Sequence, residues 1–197
     1  QYSGDFWGLY IGIEQPDGSF LDERDLPDGS IFNMHGSVFG STTQRHQGSE
    51  LPTDRSDLSA FLAGVDSTSS LQWWEDNLNW DSYFAWNLVN FAVNNSDIRP
   101  NENVNYYHNQ EDGKWYVLPW DLDLTFEDAP HFSAPITSRE NIRTLIDTYP
   151  AAKLAYQNRL REITDLLLAN GDAAQVVDEL AGVLTLHSGD TTIVDAN

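Results

Sequence analysis

Hydrophobic and polar positions alternate near the start of the chain. Residues 5–13 place large apolar side chains on one side and glycines on the other, which predicts a strand. Residues 16–19 and 26–29 are rich in Pro, Asp and Gly and predict turns. We expect short strands between and after these turns, including residues 31–34. Residues 36–53, rich in Gly, Ser, Thr and Gln, predict a long loop.

From residue 56 the apolar positions recur every three or four residues, which predicts helices. We expect the first helix to be capped by Ser56 or Asp57, and the third to begin at the N-cap Asp81. The side chains expected to face the core in these three helices are Leu58, Phe61, Leu62, Val65, Leu71, Trp74, Leu78, Phe84, Leu88 and Phe91.

Residues 104–108 and 114–118 alternate again and flank a turn that contains Gly113, which predicts a β-hairpin. Three helices are predicted to follow. Their apolar stripes are Ile142, Leu145, Ile146 and Tyr149, then Tyr156, Leu160, Ile163 and Leu167, then Val176, Val177, Leu180 and Leu184.

The order of elements predicts an α+β fold in a single domain, residues 1–197. A small sheet-rich part, residues 1–53, is followed by a larger, mainly helical part, residues 54–187, which contains the hairpin. Residues 188–197 are expected to form a frayed tail.

Composition restricts the partners. Ten basic residues against 31 acidic ones give a formal net charge of -21, so we expect neither nucleic acid nor an anionic membrane surface to bind. Cationic proteins and metal ions suit the charge better. No apolar run approaches the roughly 18 residues of a membrane span, so membrane insertion is not expected. With no cysteine, thiol chemistry and disulfides are excluded.

The polar loops after the third helix and after the hairpin contain Asp97, Asn103, Asp121 and Asp123. Phosphoryl transfer uses one carboxylate to accept a hydroxyl proton, and an Asn with an Asp to hold magnesium on the nucleotide phosphates. Two other interpretations stay open. The same residues could cap turns through backbone amides, or they could build a structural calcium site.

Three segments resemble the CotH family of spore-coat-protein-H-like atypical kinases. Residues 119–123, Pro-Trp-Asp-Leu-Asp, match its signature within a longer similar string, residues 114–126. Residues 4–10 are similar to its Gly-x-x-Trp-Gly-Leu-Tyr strand, and Glu14 follows directly. Asn95-Ser-Asp97, followed by residues 103–107, resembles its Asp loop and the next strand.

The resemblance implies a kinase-like fold, of which residues 1–53 would be a remnant of the N-lobe and residues 54–187 the C-lobe. It implies ATP as co-substrate and Mg²⁺, or else Mn²⁺ or Ca²⁺, as the metal. It also implies Asp97 as catalytic base and Asn103 and Asp121 as metal ligands, with Asp123 beside them. Glu14 would lie on the nucleotide side, as partner of a nucleotide-binding lysine.

The resemblance implies a Ser- or Thr-bearing substrate protein that is secreted or exposed at the cell surface, and the negative charge of this chain suits a basic one. The chain itself is accordingly expected outside the cytoplasm, and its oligomeric state is left open. Two hypotheses compete with the kinase. One is a catalytically inactive binding or adhesion module on a kinase-derived scaffold, and the other is a calcium-stabilised structural domain.

The chain departs from the family pattern at several positions. The ATP-contacting lysine is expected upstream of the first segment, in a part that this chain begins too late to contain, and neither Lys114 nor Lys153 is placed to substitute. Glu127 stands where the family usually has a glycine. Asp97 and Asn103 are six residues apart, where protein kinases usually show a spacing of about five.

Overall fold

The computed structural model describes residues 12–35, 42–122, 124–126, 142–169 and 171–188. The chain divides into two compact units, one formed by Glu14–Leu160 and the other by Gln1–Ile13 with Arg161–Asn197. Most of the described structure lies in the first unit. None of the helices in the described ranges is long and apolar enough to span a bilayer.

An antiparallel sheet of four strands organises the first unit. The strands are β1 (Gly29–His35), β2 (Thr43–His46), β3 (Glu102–Asn109) and β4 (Trp115–Pro119), in the spatial order β2-β1-β3-β4. The predicted hairpin is therefore confirmed, as is the strand at residues 31–34. The hairpin pairs directly with β1. One sheet therefore contains strands from both the predicted sheet-rich part, residues 1–53, and the predicted helical part, residues 54–187.

Helices account for most of the remaining described residues, and the α+β class is confirmed. They are α1 (Gly18–Asp22), α2 (Ser56–Gly64), α3 (Leu71–Asn77), α4 (Trp80–Ala92), α5 (Ile142–Thr148), α6 (Pro150–Thr164) and α7 (Asp172–Ser188). A short π-helical segment, Asp165–Ala169, follows α6.

The first face of the sheet packs against the helices through aromatic side chains. Successive strand residues point to opposite faces, so Phe32 and Tyr106 share this face with the large core cluster. Phe61 of α2 stacks on Trp115 at 4.8 Å between ring centroids and on Trp73 at 6.2 Å. Aromatic pairs of this kind contribute about 0.5–1.5 kcal/mol each beyond area burial.

The second face is more polar. At one end of the sheet, Ile31 and Tyr107 pack with Leu21 of α1, and the Tyr107 hydroxyl donates to the carbonyl of Pro27. Toward the other end, Asn33 donates to Asn105 across β1 and β3 at 2.8 Å, and both residues are fully buried. This half of the second face lies beside the end of β4.

Three local predictions are wrong, because side-chain caps and backbone pairing override the sequence pattern. Asp17 accepts hydrogen bonds from the amides of Ser19 and Phe20, so the first turn opens α1 instead of leading to a strand. β2 lies inside the predicted long loop. Asn79, not Asp81, caps α4 by accepting from the Ser82 amide.

Other predictions have mixed outcomes. Phe91, expected in the core, is 61% exposed, and Val176, Val177 and Leu180 of α7 are also exposed. The N-cap position of α2 is Arg55, which makes no side-chain cap. Residues 5–11 of the predicted first strand, and the tail after residue 188, lie outside the described residues.

Asp28 holds one end of the sheet together. Its carboxylate accepts from the amide and hydroxyl of Ser49 at 2.9 and 2.8 Å, from the amide of Gly29 at 2.8 Å, and pairs with His46 at 2.8 Å. These contacts, led by the Ser49 amide, lower the pKa of Asp28 well below its ordinary value of 3.8. The ionised carboxylate therefore ties the segment after β2 to the start of β1.

We expect Asp28→Asn to lower the free energy of unfolding by roughly 1–2 kcal/mol at pH 7, because charge-assisted hydrogen bonds are lost. Asp28 has a lower pKa when folded than when unfolded, so its contribution is complete above pH 3.8 and is lost as the pH falls toward the folded value. Urea unfolding at several pH values measures this. Glu50→Gln, which removes the same charge from the same segment, serves as control and should change little. An Asp28→Asn effect that stays constant down to pH 2 would contradict this account.

Candidate active site

Two loops lie side by side at one end of the sheet. The Asp97 loop, residues 93–101, joins α4 to β3, and the Asp121 loop, residues 120–126, follows β4; residue 123 is outside the described residues. The amide of Ser96 donates to the carbonyl of Leu124 at 3.1 Å, and the amide of Phe126 donates to that of Val93 at 2.6 Å. Backbone pairing therefore joins two loops that the whole hairpin separates along the chain.

Helix α4 fixes both loops from the same side. At its start, the amide of Asn79 donates to the carbonyl of Trp115 at 2.8 Å, and the Ser82 hydroxyl accepts from the amide of Val117 at 3.1 Å. At its end, α4 leads directly into the Asp97 loop. One rigid helix thus contacts the strand that precedes Asp121 and carries the loop that contains Asp97.

Asp97 and Asn103 are in direct contact despite their six-residue spacing. The side-chain amide nitrogen of Asn103 donates to the Asp97 carbonyl and to Asp97 Oδ2, both at 2.9 Å. Asn103 is buried, and the Asp97 side chain is 28% exposed. Because the amide nitrogen faces Asp97, the carbonyl oxygen of the same side chain is left for another partner.

Arg99 holds the other oxygen of the carboxylate. Its guanidinium lies 3.5 Å from Asp97 Oδ1 and 3.7 Å from Glu102 Oε2. The Arg99 side chain is 65% exposed, so these contacts are screened by water and hold the carboxylate only loosely.

Asp121 follows β4 at the end of the sheet where Asn103 lies. Val104 of β3, the residue after Asn103, pairs with Pro119 of β4, two residues before Asp121. Asp121 is exposed. A carboxylate and an amide oxygen at the ends of neighbouring strands suit Mg²⁺, which commonly takes one or two protein oxygens together with phosphates and water.

The described residues contain no group of three or more His, Cys, Asp or Glu side chains arranged to hold a metal ion. Asn103 and Asp121 offer one amide oxygen and one carboxylate, a donor set that fits a metal shared with a ligand.

The backbone of this region is unusual. Seven described residues other than glycine have positive φ, and five of them belong to the two loops or the start of β3. These five are Asn94, Asn101, Asn103, Asp121 and Phe126. Left-handed backbone in non-glycine residues is uncommon and concentrates at functional sites, while Asn and Asp tolerate it best.

A chain of buried carboxamides, which the sequence analysis missed, supports the Asp97 loop. Asn90 donates to the carbonyl of Trp86 at 2.7 Å and accepts from Asn95 at 2.9 Å. Asn95 in turn accepts from the backbone amide of Asp97 at 3.0 Å. The available signal was an Asn within a stretch of α4 that is otherwise mostly apolar, because such a residue is usually buried only when it is hydrogen-bonded.

Glu14 is not in this cluster. Glu14 forms a two-bond ion pair with Arg24, at 2.8 and 2.7 Å, and both side chains are largely exposed. The predicted partner of Glu14 was a lysine, but in this structure Glu14 pairs with the guanidinium of Arg24. Asp123 lies outside the described residues. The functional roles of all five residues stay predictions.

An α+β fold whose paired loops bring an Asp and an Asn together beside a second Asp has the residue types and order of a phosphotransferase site. The chain belongs to the CotH kinase family, because the family model described as CotH kinase protein matches residues 2–189. Membership suggests a kinase-like domain that uses ATP and a metal ion. A search of curated proteins found no match to the chain.

We expect Asn95→Ala and Asn90→Ala each to lower the free energy of unfolding by about 1–3 kcal/mol, because each leaves buried polar groups without partners. The double variant should cost less than the sum, since the two residues share one hydrogen bond. Chemical unfolding of the four proteins measures the coupling. Strict additivity would show that the Asn90–Asn95 contact contributes nothing.

Proposed function

We propose that this chain is a metal-dependent protein kinase domain that transfers the γ-phosphoryl group of ATP to a Ser or Thr hydroxyl. Asp97 is the catalytic base, Asn103 and Asp121 hold the metal ion, and Asp123 assists them. The observation that carries the proposal is the direct contact between Asp97 and Asn103, next to the strand end that leads to Asp121.

The arrangement supports separate roles for the three residues. Asp97 would take the proton of the acceptor hydroxyl while that oxygen attacks the γ-phosphorus and the bond to the β–γ bridging oxygen breaks, releasing ADP. Asn103 would orient the Asp97 carboxylate through its amide nitrogen and offer its oxygen to the metal. The metal would supply positive charge to the β- and γ-phosphates, which Asp97, Glu102 and Asp121 would otherwise repel.

The substrate is proposed from charge and from the family. A chain with net charge -21 attracts basic segments more strongly than acidic ones, so we propose a basic protein carrying Ser or Thr. Family membership supports a secreted or surface location for both partners. Glu14 is proposed to lie on the nucleotide side, paired with a cation as it is with Arg24 here.

A binding or adhesion module on the same scaffold is less well supported. Such modules use exposed aromatic side chains. Phe91 and Phe126 are exposed, but the six tryptophans within the described ranges are buried or half-buried. Trp74, Trp86 and Trp115 belong to the core. Thermal unfolding in the presence of Ca²⁺ alone tests the structural-calcium hypothesis.

We expect Asp121→Asn to weaken magnesium-dependent ATP binding at least tenfold, and Asp97→Asn to abolish phosphotransfer while ATP still binds. Asparagine is the appropriate replacement at Asp121, because it tolerates the positive φ of 56° and removes only the charge. Calorimetry with ATP in the presence and absence of Mg²⁺ measures binding, and transfer to a basic Ser- and Thr-containing protein measures activity.

Glu111→Gln is the matched control, since it removes one carboxylate from the exposed turn at the far end of the same hairpin and should change neither quantity. Wild-type protein that binds no ATP with or without Mg²⁺ would refute the proposal. Thermal stabilisation by Ca²⁺ alone, with no response to nucleotide, would instead support the structural-calcium hypothesis.

A further inference from the structure

Arg45 lies on the second face of the sheet, in the outer strand β2, level with Ile31 and Phe32 near the middle of β1. Its guanidinium carbon is 5.7 Å from the centroid of the Trp120 ring. Trp120 immediately precedes Asp121, one of the two proposed metal ligands. Arg45 is therefore a cation beside the residue next to Asp121, although it is 76 residues before Asp121 in the sequence.

A β-bulge directs this side chain. Ile31 and Phe32 are consecutive in β1, but they pair with His46 and Gln44 of β2. Arg45 is therefore the extra residue between them. Bulges bend a strand locally and redirect a side chain out of the regular alternation, and they are frequent near active sites.

The sheet order shows where the guanidinium lies. β2 and β4 are the outer strands of the described sheet, with β1 and β3 between them, so they are three strand spacings apart, about 14 Å. Arg45 and Trp120 can meet only by extending toward each other across these middle strands. On the face concerned, the middle strands present the buried pair Asn33 and Asn105.

Two polar atoms of that pair have no partner. Asn33 Oδ1 and Asn105 Nδ2 are buried without a hydrogen bond, and buried polar atoms of this kind are rare in folded proteins. Unpaired polar atoms on the face across which Arg45 and Trp120 meet favour a polar ligand at this position.

Arg45 also has no acidic partner among the described residues, although the whole chain carries 31 acidic side chains. Arg24 pairs with Glu14, and Arg99 contacts Asp97 and Glu102, but none of the ion pairs formed by described residues includes Arg45. Its Nε is buried and makes no hydrogen bond. Burying part of a guanidinium against an aromatic ring alone costs free energy, unless an anion pairs with the guanidinium.

We infer that Arg45 binds the phosphates of the nucleotide whose metal ion is held by Asn103 and Asp121. Arg45 thereby supplies the cation that neither lysine of the described chain is placed to provide. The planar guanidinium can donate two parallel hydrogen bonds to one phosphate group. This inference depends on the proposed function, since it requires a nucleotide at the same end of the sheet.

The test compares MgATP, MgADP and adenosine binding by calorimetry in wild-type protein, Arg45→Met and Arg45→Lys. Methionine keeps the apolar stem against Trp120 and removes the charge. We expect Arg45→Met to bind MgATP and MgADP about tenfold to a hundredfold more weakly while adenosine binding stays unchanged. Arg45→Lys should fall between Arg45→Met and wild type, because an ammonium group keeps the charge but not the two-bond geometry.

Lys114→Gln is the control, since it removes one positive charge from the far end of the hairpin and should leave all three affinities unchanged. Circular dichroism and thermal unfolding show whether each variant is folded. If Arg45→Met does not fold, the nucleotide affinities of Arg45→Lys alone test the inference. Unchanged MgATP binding in the folded variant overturns the inference, and so does an equal loss for adenosine, because Arg45 would then only shape the pocket. Wild-type protein that binds no nucleotide refutes the proposed function itself, so the two failures are distinguishable.

Discussion

The hydrogen bonds from Ser96 to Leu124 and from Phe126 to Val93 hold the two loops of the candidate site together. Ser96 and Leu124 are 28 residues apart in the chain, and the whole hairpin lies between them. Without this pairing, the loop that contains Asp121 would lose its backbone link to the loop that contains Asp97. Helix α4 makes the pairing possible, because it contacts β4 at its start and begins the Asp97 loop at its end.

The fold was predictable mainly at the elements where a single physical signal determines the local structure. The hairpin has alternating apolar residues and a turn whose Gly113 adopts φ of +70°, so sequence and structure agree there. β2 was missed because its four residues, Thr-Gln-Arg-His, are all polar and are held by backbone pairing with β1. α1 was missed because Asp17 looks the same in sequence whether it starts a turn or caps a helix.

The candidate site was predictable in part. The order of Asp97, Asn103 and Asp121 along the chain indicated the three residues, since kinase-like chemistry needs these side-chain types in this order. The contact between Arg45 and Trp120 was not predictable, because it joins the two outer strands of a sheet whose order cannot be deduced from local pattern. The supporting pair Asn90 and Asn95 was equally hidden, since hydrogen-bond partners of a buried amide are a property of tertiary structure.

Left-handed backbone at Asn103 and Asp121 limits how this region can change during evolution. At both positions glycine, asparagine and aspartate fit the local geometry with little strain, whereas most other residues disturb it. A descendant could therefore exchange Asp121 for Asn or Gly and keep its shape while losing a proposed metal ligand. Under the proposed function, intact architecture would then be poor evidence of retained catalysis, and the identity of these two residues would separate active enzymes from inactive descendants.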